Sequence, residues 1–218
     1  MERLMKVTGE GKIRVRPDQV EIGMIASGRD SDYLKAMAAL ANTRYPIYEA
    51  LHGCGFDTSD LKTIKYHIGE HLEYSYDSAG VRRSRIDGYE YRHEMKVVFD
   101  IDKERLTTVL AALRNSNINP EINIVYSIKD KAKAKEQLLE MTVKDSMKKA
   151  KVLANATGVQ LGNIVSVDYS WGEVKAKVSY MGTNYAKNVI VDDTGYVIAL
   201  EPEDIELRET VTVDWEIQ

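Results

Sequence analysis

Two hydrophobic periods alternate along this chain, and the places where one gives way to the other outline its elements. The longest helical period runs from about Asp130 to Thr157. There Leu138, Leu139, Val143, Met147, Ala150, Leu153, Ala154 and Thr157 return at three- and four-residue steps as one apolar stripe. Asp130 suits the N-cap, and Gly158 stands where helices commonly end on a left-handed residue. At ~1.5 Å per residue the rod is on the order of 40 Å long, enough to back a whole sheet. The remaining segments read mostly as strands in need of such a partner.

From Met5 to Ala26 the period is two. Val7, Ile13 and Val15 take one side, and Lys6, Thr8, Glu10, Lys12, Arg14 and Arg16 the other. Beyond a turn at Pro17-Asp18, Val20, Ile22, Met24 and Ala26 hold the apolar side, which predicts antiparallel strands with one wet face. Gly9 and Gly11 around Glu10 predict a bulge or a close approach of backbone. No helix follows them, which excludes a phosphate-cradling loop. Asp30, Ser31 or Asp32 caps a helix with apolar side Leu34, Met37, Ala38, Ala41, Tyr45, Tyr48 and Leu51. Pro46 is expected to kink or split it, and Gly53 and Gly55 to end it.

The stretch from Leu61 to Ile101 reads as a hairpin with arms of about 15 residues, against a usual strand of ~5–6. Ile64, Tyr66, Ile68, Leu72, Tyr74 and Tyr76 form one face, and Tyr89, Tyr91, His93, Met95, Val97, Phe99 and Ile101 another, around a turn at 77–80. Such arms overhang their own helices, so the tyrosine-rich outer half is an exposed apolar patch unless another chain covers it. A short helix (Leu106, Val109, Leu110, Leu113) and a strand (Ile118, Ile122, Ile124, Tyr126) lead into the long helix. After it come a strand from Ile164 to Trp171, an irregular stretch over 172–200 with a turn at Asp192-Asp193-Thr194-Gly195, and a clean closing strand. In that last strand Ile205, Leu207, Val211, Val213, Trp215 and Ile217 alternate with polar residues. The order ββα-ββα-βα-β predicts an α+β fold: a long antiparallel sheet on two or three helices, one domain over residues 1–218 with 172–200 as an insertion.

Composition narrows the class. With 218 residues and 44% hydrophobic content, the chain can bury one sizeable core or two small ones. No stretch approaches the ~20 apolar residues of a membrane span, and the N-terminus shows no apolar signal region. The expectation is a soluble protein without membrane insertion, cytoplasmic as the sequence stands or a mature exported form. Cys54 is the only cysteine, which excludes an intrachain disulfide and a cysteine-rich metal site. Between Gly53 and Gly55 it reads as a small filler near a helix end in preference to a reactive thiol. A net charge of -4 argues against general nucleic-acid binding. The charge is uneven, however: residues 129–151 carry +4 and residues 192–218 carry −8. Either both are solvated faces, or the two surfaces meet and fix register.

Candidate chemistry is sparse. His67 and His71 flank Glu70, but on a strand four residues span ~13 Å, too far for one metal ion. They read as solvated histidines on the polar face. Glu70 and His93 share the tyrosine-bearing face and form the best general acid/base pair available. The plainer reading gives His93 to the core and Glu70 to a tyrosine hydroxyl or open solvent. Arg82-Arg83-Ser84-Arg85 offers only a weak footprint for phosphate or acidic lipid. P-loop, nucleophile-elbow, dinucleotide and CxxC motifs are absent. No catalytic, cofactor-binding or metal residue is assigned.

Several short stretches, in order, resemble one family. Val7-Thr8-Gly9-Glu10-Gly11 with Val15-Arg16-Pro17-Asp18 is similar to the opening signature of the SIMPL-domain family. Leu51 with Gly55-Phe56, Asp60-Leu61-Lys62-Thr63, Gly88-Tyr89, Leu153-Ala154 with Gly158, Leu161-Gly162-Asn163-Ile164 and Pro202 through Val211-Thr212-Val213 follow its later motifs. The family includes a bacterial oxidative stress defence protein and a periplasmic immunogenic protein. The resemblance implies an α+β fold and ring- or barrel-like homo-oligomers, usually in the cell envelope, and carries no catalytic residues. Pro46 and the acidic 172–200 segment depart from the pattern.

The functional expectation is a non-enzymatic scaffold without cofactor that assembles with itself through the hairpin and the long helix. The alternatives are a binding module for a small ligand or protein partner on the hairpin face, and an acid/base enzyme using Glu70 and His93.

Overall fold

Asp32, Asp102 and Asp130 start three of the helices, each carboxylate accepting backbone N–H groups of the first turn. The computed structural model describes residues 3–76, 78, 80–169 and 202–218. Its elements run β1 (Leu4–Val15), β2 (Gln19–Asp30), α1 (Tyr33–Ala41), α2 (Arg44–His52), β3 (Lys62–Tyr76), β4 (Arg82–Asp100), α3 (Lys103–Arg114), β5 (Glu121–Ser127), α4 (Lys131–Thr157), β6 (Leu161–Asp168) and β7 (Ile205–Ile217). The long helix ends as its sequence dictates, on Gly158 at φ 72°. The helix after Asp32 divides at Asn42-Thr43, so that Pro46 falls in the first turn of α2, where its missing N–H is no loss. The turn at 192–195 and the end of the strand expected to reach Trp171 lie outside the described residues.

The α+β class and the antiparallel pairing hold, with the strands shared between two sheets of order β1-β7-β6 and β3-β4-β2-β5. β1 and β2 are consecutive yet do not pair. β1 runs against β7 without a register shift from Leu4↔Glu216 to Val15↔Ile205, and β2 runs against β4. The described residues form two compact units, one of β1, α4, β6 and β7, the other of β2 to β5 with α1, α2 and α3.

In the first unit, α4 lies on β1 and β7. Its buried face is Ala134, Leu138, Thr142, Ser146, Ala150 and Ala154, a column of mostly small residues. This corrects the apolar stripe: Met147, Leu153 and Thr157 are exposed, and Leu139 and Val143 only flank the core. The reason is distance. A Cβ on Gly9 would sit 2.7 Å from the Ser146 backbone N and 2.8 Å from its Cβ, and one on Gly11 would sit 2.8 Å from the Leu138 carbonyl. Small residues face glycines here because nothing larger fits. The glycines therefore mark a close approach and no bulge.

In the second unit, Val20, Ile22, Met24 and Ala26 of β2 and Met95, Val97 and Phe99 of β4 pack on Ile47 and Leu51 of α2 and on the apolar side of α3. The rotation of α1 also differs from expectation. Ala36 and Leu40 point inward, continued by the buried Thr43, while Leu34, Met37, Ala38, Ala41 and Tyr45 are exposed. Among the described residues no helix is long and apolar enough to cross a membrane.

Candidate functional site

The pairing of β2 ends at Asp30↔Tyr89, whereas β3 and β4 continue together to Tyr76↔Arg82. The hairpin thus projects past its sheet as a two-stranded ribbon. A bulge between His71 and Leu72 skips Asp87 in the ladder, and the cross-strand mates become Leu72–Ile86, Tyr74–Ser84 and Tyr76–Arg82. Tyr66, Ile68, Glu70, Leu72, Tyr74 and Tyr76 keep one parity and so share one face. Nothing among the described residues shields the outer part. Tyr76 is 73% exposed and Tyr74 52%, and Leu72, Val81 and Ile86 are exposed beside them.

Several charges on the ribbon are paired within its own sheet. The Arg82 guanidinium lies 3.8 Å from the centre of the Tyr74 ring. Arg85 is 2.7 Å from Glu73, and Arg29 is 3.2 Å from Asp87. Arg82 and Arg85, two of the tip arginines weighed as a phosphate contact, are thus held within the hairpin. What the ribbon presents is aromatic and aliphatic surface.

Among the described residues β3 is also the outer strand of its sheet, paired with β4 on one side. Among the described residues, no hydrogen bond outside the β4 ladder reaches its backbone. The edge of β1 is treated differently. Asp145 of α4 accepts from the Glu10 N–H at 2.9 Å, Ser146 donates to the Val7 carbonyl at 3.3 Å, and Lys149 donates to the Thr8 carbonyl at 3.3 Å. Lys149 and the Glu10 N–H hold the Asp145 carboxyl below the usual range. Among the described residues, one edge is capped by side chains and the other is left open.

His93 and Glu70 do share a face, but they are not brought together. His93 sits opposite Tyr66 and Glu70 opposite Tyr89, four residues along the strand, or ~13 Å. The imidazole is fully buried, whereas Glu70 is exposed. Thr43 Oγ1 donates to the Leu40 carbonyl at 2.7 Å and so accepts from His93 Nδ1, also at 2.7 Å. Nε2 then accepts from Thr63 Oγ1 at 3.0 Å, and the Tyr66 ring stacks at 4.1 Å. Burial, then the Arg44 charge, pushes the imidazole pKa down. This is a neutral histidine with both nitrogens satisfied, built into the core.

The other sequence candidates separate too. His67 is exposed, and His71 pairs with Glu90 at 3.2 Å. Among the described residues no group of three or more His, Cys, Asp or Glu could hold a metal ion. Cys54 is half-buried, its thiol 3.4 Å from the Ala50 carbonyl and raised in pKa by burial, as suits a filler. The acidic closing strand does not meet the lysines of α4. Its carboxylates face β1 instead: Glu206 contacts Lys12 at 2.7 Å and Arg14 at 3.6 Å, and Asp214 contacts Lys6 at 3.7 Å. Strand parity is the cause, since β7 turns Leu207, Val211, Val213 and Trp215 toward α4 and Glu206, Asp214 and Glu216 the other way. The acids at 192, 193 and 201 lie outside the described residues.

Two exposed apolar surfaces went unread in the sequence. One is the outer side of α1 and the start of α2, with Leu34, Met37 and Tyr45, and the other is β6, where Ile164, Val165 and Val167 are all exposed. Helical period gives a stripe but not which side of it is wet.

Comparison with known proteins adds kinship. A sequence model of the SIMPL family, described as a protein of unknown function (DUF541), matches residues 5–215. The 26 kDa periplasmic immunogenic proteins of Brucella melitensis biotype 1 and of Brucella abortus (strain S19) are each 25% identical to the chain over 166 residues, 74% of this chain and 64% of theirs. The chain thus spans less than two thirds of the length of these relatives. Among solved structures, a hydrolase from Listeria innocua is similar over 95% of this chain and 92% of that one at 12% identity. Its TM-score of 0.21 is too low to bear on fold or activity.

Proposed function

The chain belongs to the SIMPL family, whose function is unknown, and from that premise we propose that it is a non-enzymatic scaffold that assembles with copies of itself. The projecting hairpin is the main contact and the exposed side of α4 a second. The observation that carries this reading is the aromatic ribbon beyond Tyr89, which no described residue covers, on a chain with a separate, filled core. Covering one half-exposed tyrosine or isoleucine contributes about 1 kcal/mol. Association costs roughly 4–15 kcal/mol in lost freedom, so one such residue cannot sustain it. Tyr66, Leu72, Tyr74, Tyr76 and Ile86 together, each counted twice in a symmetric contact, reach that range. On α4, Met141, Met147, Val152 and Leu153 are exposed as well.

Light scattering on the full chain at tens of micromolar tests the proposal. The expected result is a mass that is an integral multiple of the single chain and that falls on dilution. A strict monomer across that range overturns it. The same hairpin face would serve a binding module for another protein, and stabilisation of a monomer by an added partner would favour that reading.

A further inference from the structure

We propose that two copies of the chain join edge to edge through β3, antiparallel about a twofold axis at Gly69, so that two four-stranded sheets become one. This rests on the self-association reading and specifies its geometry. Of the outer strands left open among the described residues, β3 is the longest, at 15 residues against 8 for β6 and 7 for β5. Its outward N–H and C=O groups are a template for another strand.

The partner is another β3 because the strand is complementary to its own reverse. Its first half carries Lys62 and Lys65, and its second half carries Glu70 and Glu73. Parallel pairing sets like charges together, whereas antiparallel pairing sets unlike charges opposite. Gly69 is the midpoint of Lys62–Tyr76. Centred there, Lys65 faces Glu73 of the second copy and Tyr66 faces Leu72, each pair occurring twice. His67 then faces His71, and Ile68 faces Glu70, the one apolar side chain set against a charge near the axis. β3 is regular through this stretch, since its own irregularity lies between Thr63 and Lys65 and the later one falls on Asp87 of β4.

Neighbouring registers are worse. A slip of one residue pairs the tyrosine face with the polar face. A slip of two sets Tyr66 against Glu70 in one direction, and Glu70 against its own copy in the other. Of these registers, only the centred one sets Lys65 against Glu73 while keeping Glu70 away from its own copy.

Disulfide trapping tests the register. In a Cys54→Ala background, Gly69→Cys places one thiol on the axis, and the added Cβ meets only the tip of the His67 ring, at 3.1 Å. Mild oxidation is expected to convert most of the protein to a covalent dimer. A mixture of Ile68→Cys and Glu70→Cys chains should give the mixed dimer in excess over either like pair. Lys65→Glu, at an exposed position, should weaken self-association by on the order of tenfold, and adding Glu73→Lys should restore most of it. If light scattering shows an oligomer but neither cross-link forms and Lys65→Glu changes nothing, edge pairing is overturned and the broader self-association reading stands. A monomer overturns both.

Discussion

At the residue scale, His93 shows how a polar group enters a core. Each ring nitrogen is matched by a hydroxyl, and Thr43 passes its own proton on to the Leu40 carbonyl. That chain of donors costs nothing to bury while it is complete. Thr43→Val removes the acceptor of the Nδ1 proton and should destabilise the fold by about 1–3 kcal/mol, read from the shift in urea midpoint. The same burial gives a pH dependence. Because the folded pKa is depressed, the unfolded chain takes up a proton first, starting near pH ~6.5. Stability from this group is therefore present above that pH and lost as pH falls toward the folded value. Unfolding free energy should drop between pH 7 and 5, and His93→Leu, less stable at pH 7, should lose less over that window. The inward parity of His93 was legible in the alternation of β4. Its partners were not, because Thr43 and Thr63 lie 50 and 30 residues away.

At the element scale, the packing of α4 on β1 is governed by size more than by hydrophobicity. Ranking residues by apolarity picks Met147 and Leu153, but the sheet comes closest where Thr142 and Ser146 meet glycine. Gly11→Ala is expected to cost about 1–3 kcal/mol in chemical denaturation, since its Cβ collides with the Thr142 hydroxyl and nears the Leu138 carbonyl. Combined with Thr142→Ala, which removes the hydroxyl but not the carbonyl, the penalty should shrink without vanishing. If the double variant loses as much again, the hydroxyl is not the obstacle. The caps were readable in advance: Asp130 accepts the Lys133 N–H at 2.8 Å, and Gly158 takes the left-handed conformation. The glycine pair also announced a close approach. What it approached could not be read from β1, because the helix lies more than a hundred residues downstream.

On the scale of the whole molecule, the hairpin separates stability from association. Tyr74 and Tyr76 already stand mostly in water, so replacing both by Ser should change the unfolding free energy of a dilute, monomeric sample by no more than ~0.5 kcal/mol. At tens of micromolar the same variant should scatter as a smaller species than the parent. A fold weakened by several kcal/mol would show instead that these rings support their own chain. The charge distribution also resolves at this scale. The basic helix and the acidic strand looked like two surfaces seeking each other, but Glu206, held at a pKa of about 2 by Lys12 and Arg208, is matched across the sheet instead.

Residue order alone specifies the kind and extent of most elements, their caps, and the sides of β1, β2 and β7 that turn inward. Those features depend on neighbours within four or five positions, which the chain carries with it. It took the three-dimensional packing to pair β1 with β7, to turn the small residues of α4 inward and, among the described residues, to close the edge of β1 and leave that of β3 open. Thr8 and Thr212, hydroxyl to hydroxyl at 3.0 Å, are 204 residues apart. No local period encodes a contact of that span, since it is chosen by the packing of the whole core and not by the residues beside it.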